Sequence, residues 1–213
     1  MPDDWRNSTI VPIFKQKGDA SECSNYRGIK LISHTMKIYE RLVDSRLRVM
    51  VPFSQVQWGS MPERSTTDAI FIDRQVMEKY REKRRPCYLA FLDLEKAYGR
   101  LPGPYSGKPF EGDVSKDEGP LRTILYADDI ALVADNQEEL EEKVQLWQTA
   151  LADNGLRLNV KKTRFVSSEQ CAGSILDCQG EAIEKVEDFR YLGSDLFEEG
   201  RVDQPIRGRI NAA

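Results

Sequence analysis

ILYADDIALVA, residues 124–134, sets two adjacent carboxylates, Asp128 and Asp129, between two apolar, β-prone runs. Apolar residues on either side favour strands and Asp tolerates turn geometry, so the stretch predicts a tight hairpin with two acids at its tip. A buried hairpin gains nothing by placing two negative charges side by side, so something positive is expected there. A divalent cation, which takes hard oxygen ligands, would remove the repulsion, and a third carboxylate on a neighbouring strand would complete a two-metal site. The candidate for the third is Asp93. CYLAFLDLEKAY, residues 87–98, opens as an apolar run suited to a buried strand and reaches Asp93 where its polar character starts.

FLDLEKAY followed downstream by YADD resembles motifs A and C of reverse transcriptases, and the flanking sequence is similar to that of non-long-terminal-repeat, LINE-type retrotransposons. Further stretches resemble the same family in the right order. Trp5, IVPIFKQKGD (11–19 with Ile10) and CSNYRGIKLI (23–32) are similar to its fingers motifs, LRLNVKKT (156–163) to motif D, and FRYLGSDL (189–196) to motif E, the primer grip. The resemblance implies an RNA-directed DNA polymerase, a nucleotidyltransferase whose Mg²⁺ (or Mn²⁺) ions are held by Asp93, Asp128 and Asp129. Its implied partners are an RNA template, a DNA primer and deoxynucleoside triphosphates. It implies further that Lys162 protonates the leaving pyrophosphate and that Lys15 and Arg27 face the template or the incoming triphosphate. Tyr98, five residues past Asp93, matches the ring that clashes with a ribose 2′-hydroxyl. Two lysines at a strand end are also ordinary surface charge, and for Lys162 its position relative to Asp93 decides.

The chain departs from the family between motifs A and C. Of the nineteen residues 102–120, eight are Gly or Pro, and no hydrophobic period appears. The family carries motif B on this course, a glycine-containing turn and helix that supports the nascent base pair. Gly99 also stands where the family often has Asp, and the chain stops where a thumb would begin. The resemblance is therefore to a reverse transcriptase domain, internally deleted and truncated before the thumb. The expected fold is α+β, reverse-transcriptase fingers and palm, with a ferredoxin-like βαββαβ palm lacking its motif B helix. Residues 1–86 form a fingers-like region, and residues 87–188 form the palm, with 102–120 as a linker in place of motif B. Residues 189–213 form a primer-grip-like hairpin and the start of a thumb. Weak or no polymerase activity is expected, and the alternative is a non-catalytic retrotransposon remnant that folds and binds nucleic acid weakly.

A chain of 213 residues with 40% hydrophobic and 31% charged residues can bury a core and remain soluble. No apolar run approaches the roughly 18 residues that span a bilayer, and MPDDWRNS lacks the pattern of a signal peptide. An intracellular protein, nuclear or cytoplasmic, is the expectation. Four cysteines without paired spacing fit reduced thiols, and a single histidine, His34, argues against a zinc site. The net charge of −4 conceals an asymmetry: residues 1–100 carry 18 Lys+Arg against 13 Asp+Glu, net +5, and the rest 13 against 22, net −9. The first part could meet phosphates and the second could not do so broadly, although such an asymmetry is also common among solvated helix faces. The sequence leaves the oligomeric state open.

Periodicity predicts a helix over 34–51, with Ile38, Leu42, Ser45 and Val49 along one stripe. A second opens at Ser65, an N-cap with Asp68 in its first turn, and runs through Tyr80. A third covers 136–153, with Asn136 as cap, Glu139 reaching back from N3, and Leu140, Val144, Trp147 and Leu151 as its buried stripe. Strands are expected at 8–14, 26–32 and 88–92, in both hairpin arms and at 156–160, with weaker signals at 166–175 and 184–191.

Overall fold

The computed structural model describes residues 2, 5–51, 54–95, 122–169 and 173–197. Tyr98, the stretch 102–120 and the expected start of a thumb lie outside the described residues. The chain divides into two compact units, Met1–Ser54 and Gln55–Ala213.

In the first unit β1 (Thr9–Phe14) pairs antiparallel with β2 (Tyr26–Leu31), from Thr9↔Leu31 to Phe14↔Tyr26. Pro12 is tolerated because a two-stranded ribbon leaves each strand an open edge, where a missing N–H costs nothing. Helix α1 (His34–Met50) starts at Ser33, whose hydroxyl accepts from the Met36 amide. No residue of α1 is buried, and Ile38, Leu42 and Val49 of its apolar stripe are exposed.

The second unit begins with α2 (Thr66–Glu82) and β3 (Tyr88–Leu92). The hairpin arms β4 (Thr123–Tyr126) and β5 (Asp129–Ala134) follow, then α3 (Gln137–Asp153) and β6 (Arg164–Ser167). Two small hairpins follow among the described residues, β7 (Ser174–Leu176) with β8 (Ala182–Glu184) and β9 (Asp188–Tyr191) with β10 (Ser194–Phe197). The main sheet has the order β4-β5-β3-β6, every neighbouring pair antiparallel. Helices and antiparallel sheets together make an α+β fold.

Strand β3 is buried along its whole length because it lies inside the sheet with a layer on each face. Its alternation sends Tyr88, Ala90 and Leu92 into one core and Leu89 and Phe91 into the other. The first core joins these residues to Leu140, Val144, Trp147 and Leu151 of α3, the stripe predicted from its spacing. The second joins them to Ile70 and Val76 of α2 and to Tyr191 and Leu196 of the β9–β10 hairpin, where Phe91 also stacks on Phe189 at 4.7 Å. Each fully buried aliphatic or aromatic side chain contributes about 1.5 to 3 kcal/mol, so these two cores hold the sheet between its layers.

The helix starts follow their side chains. Ser65 and Asp68 form a reciprocal capping box on α2. Asn136 accepts from the Glu139 amide to open α3, but the Glu139 carboxylate takes the amide of Asp135, one residue earlier than a capping box requires. Its other oxygen is drawn to Arg122 and Lys143. The expected strand at 156–160 is reduced to a single bridge, Leu94↔Leu158, because the chain turns at 160–162 and the amides of Lys162 and Thr163 both bond to the Asn159 carbonyl. The two weak strand signals near the end each resolve into shorter strands, β6 and β7 for the first and β8 and β9 for the second. Among the described residues no helix is long and apolar enough to cross a membrane, and Cys23, Cys87 and Cys178 are free thiols.

Candidate active site

The register of β3 against β5 ends at Leu92↔Ile130. Asp93 therefore leaves β3 at the sheet end where Asp129 enters β5, with Asp128 beside it in the turn. Tyr126 pairs with Asp129, leaving Ala127 and Asp128 as the two central turn residues, and Ala127 takes a left-handed φ of +57°. The charges of the other two acids reach Asp129. The Asp129 carboxyl is pushed up to about 6, first by burial, then by the charge of Asp128, then by that of Asp93. The repulsion anticipated from sequence is present, but desolvation outweighs it.

Asp93 is held by its backbone. Its carbonyl accepts from the Asn159 amide at 2.8 Å, and its amide donates to the Thr163 hydroxyl at 3.4 Å, with Thr163 wholly buried. The turn between those two anchors carries Lys162, whose ammonium lies 3.5 Å from Asp93 Oδ2. That oxygen is shielded from water and has no hydrogen bond, so the lysine contact is one of charge and not of aligned donor and acceptor. Hard carboxylate oxygens, one of them buried without a hydrogen bond, are the donors that a divalent cation takes. Among the described residues no three His, Cys, Asp or Glu side chains are already gathered as a ligand cluster. The acids share one sheet end as an open set.

Lys15 and Arg27 belong to the first unit. The Lys15 ammonium donates to the Ser24 carbonyl at 2.7 Å, and Arg27 is exposed on β2 opposite Ile13. Asp93, Asp128, Asp129 and Lys162 are thus brought together within the second unit.

Two features escaped the sequence. The stretch 53–64, with Gly59 and Pro62, reads from sequence as an irregular connection, yet its residues 56–58 run beside β4: Leu125 donates its amide to the Val56 carbonyl at 2.9 Å, and Trp58 donates to the Leu125 carbonyl at 2.7 Å. The second feature is Asp73 of α2. It is fully buried, neither oxygen has a hydrogen bond, and burial pushes its carboxyl up to about 8. The Tyr191 hydroxyl is likewise buried without a hydrogen bond and is raised by burial first, then by Asp73, Asp129 and Tyr126. Helical spacing from Ala69 and Val76 was the available signal that Asp73 faces inward.

An antiparallel sheet flanked by helices thus carries acids from two adjacent strands at one end, with a lysine against one of them. The chain belongs to the reverse transcriptase (RNA-dependent DNA polymerase) family, whose sequence pattern matches residues 14–105 and 107–196. It is similar to the probable RNA-directed DNA polymerase from transposon BS of Drosophila melanogaster, with 24% identity over 106 residues. That match covers 47% of this chain but 12% of the relative, so the chain corresponds to a small part of that protein.

Proposed function

We propose that the chain carries the nucleotidyl-transfer site of a LINE-type retrotransposon reverse transcriptase, with a ferredoxin-like palm from which motif B has been deleted. The observation that carries this reading is the meeting of Asp93, Asp128 and Asp129 at one end of the β5–β3 pair, with Lys162 3.5 Å from Asp93. The order β4-β5-β3-β6 supports a βαββαβ palm, since that topology puts its first strand between its third and fourth. The Gly/Pro-rich composition of 102–120, which lacks any hydrophobic period, supports the deletion.

In this reading Asp93 and Asp128 hold Mg²⁺ or Mn²⁺, and Asp129 is a further ligand or orients the other two. When bound, such a pair of ions lowers the pKa of a primer 3′-hydroxyl and neutralises charge on the triphosphate. Lys162, on its turn beside Asp93, donates a proton to the leaving pyrophosphate. Lys15 and Arg27 meet the template or the triphosphate, and Tyr98 excludes a ribose 2′-hydroxyl. Catalysis of this kind rests on alignment, which supplies roughly 7 to 11 kcal/mol of barrier reduction. A Gly/Pro-rich linker in place of a rigid helix beneath the templating base forfeits much of it, so activity is weak.

Primer extension on an RNA template tests this, with Asp128→Asn as control. The expected result is slow, short extension that Asp128→Asn abolishes. Processive synthesis at physiological salt would overturn the deletion's consequence, and extension untouched by Asp128→Asn would overturn the site.

A further inference from the structure

The tip of the β4–β5 hairpin is not held by the hairpin alone. The segment 56–58 lies parallel to β4 on its outer edge, bridged through Gln57↔Leu125 and bonded through Val56 and Trp58. From there the Gln57 side chain reaches the turn, and its Oε1 accepts from the Ala127 amide at 3.2 Å and from the Gly59 amide at 2.8 Å. Gly59 lies so close that a Cβ on it would stand 2.3 Å from the Ala127 nitrogen and 2.8 Å from the Tyr126 carbonyl carbon. Those are backbone atoms, so no side-chain rotation could make room. Thr66 adds a third tie, its hydroxyl 2.8 Å from that of Tyr126. Behind the segment, Arg64 donates to the carbonyls of Gln55 and Gln57 and lies 4.5 Å over the Trp58 ring.

The Gln57 bond and the close approach of Gly59 fall on the residue of the turn that needs them. Ala127 holds a left-handed φ of +57°, a conformation that costs free energy for any residue with a Cβ and persists only when the surroundings impose it. Ala127 directly precedes Asp128 and Asp129, so whatever fixes its backbone also fixes the direction in which both carboxylates leave the turn. We propose that Gln57 and Gly59 are positioning residues for the acid site: the amide oxygen and the bare Cα together clamp the turn so that Asp128 and Asp129 face Asp93. The inference rests on the reading of those acids as cation ligands, and it assigns a function to a segment bonded to the backbone ahead of them.

The test uses the full chain and two readouts. In amide hydrogen exchange followed by NMR, Ala127 of the unaltered protein is expected to be protected, and Gln57→Leu to exchange at least tenfold faster, while Gln57→Glu, which keeps the acceptor oxygen, restores protection. In Mn²⁺ titration followed by electron paramagnetic resonance, Gln57→Leu and Gly59→Ala are expected to weaken binding about 10- to 100-fold, the range for removing an outer-shell partner, with Gln57→Glu staying near the unaltered chain. Asp128→Asn separates the two levels. If the unaltered chain binds no Mn²⁺, or Asp128→Asn changes nothing, the ligand reading fails. If Asp128→Asn abolishes binding while folded Gln57→Leu and Gly59→Ala bind as the unaltered chain does, the clamp fails. Should both clamp variants unfold, exchange in the unaltered protein decides, and an unprotected Ala127 amide overturns the inference.

Discussion

Asp73 sits on the sheet-facing side of α2, between Ile70 and Val76, with nothing bonded to either oxygen. Its carboxyl is held at about 8 in the folded chain by burial, against 3.8 when exposed, so the folded state keeps a proton that the unfolded state releases. The sign follows: stability is unaffected below pH 4 and falls as pH rises from there to about 8. At about 1.4 kcal/mol per pH unit the loss is capped at roughly 6 kcal/mol. The groups facing Asp73, Tyr191 and Cys87, are both raised and stay neutral over this range. Asp73→Asn, neutral at every pH, is expected to unfold at higher denaturant than the unaltered chain at pH 8 and to flatten the pH dependence. At this scale the sequence named Asp93, Asp128, Asp129 and Lys162 as candidates, through their resemblance to motifs and the adjacency of two carboxylates. It did not disclose Gln57 or the unsatisfied state of Asp73, because both depend on what β4 and the β9–β10 hairpin bring alongside.

The helices were legible because their signals are local. Ser65 with Asp68 and Asn136 with Glu139 lie within single turns, and the α3 stripe repeats every three or four residues. Ser65→Ala is expected to cost about 1 kcal/mol by removing one side of the capping box. Leu140→Ala, at a position with no exposure beneath the sheet, is expected to cost about 2 to 5 kcal/mol, read from the same denaturant curves. Strands were harder. Leu156, Leu158 and Val160 alternate as a strand should, and all three pack toward the α3 core, yet the backbone pairs only around Leu158 before turning to carry Lys162 past Asp93. Alternation reports which side chains are buried, whereas a strand also needs a neighbour to bond with. The hairpin at 124–134 was legible because its partner strand is adjacent in sequence.

Across the whole molecule, the order β4-β5-β3-β6 rests on pairings between residues some 40 to 80 positions apart, which no local pattern encodes. Charge, by contrast, is read directly: the excess of cations lies in residues 1–100. Binding of single-stranded RNA is therefore expected to be weak and independent of sequence. Two or three phosphate contacts should make it about 7- to 20-fold weaker at 200 mM than at 50 mM salt, measured by fluorescence anisotropy. Affinity that ignores salt would contradict this. The central claim, that one end of the sheet gathers acids to hold catalytic cations, is tested most directly by calorimetric titration of Mn²⁺ into the unaltered chain, Asp93→Asn and Asp128→Asn. Saturable binding that either substitution weakens at least tenfold, with folding intact, is the expected result. No binding, or equal binding by all three, would contradict it.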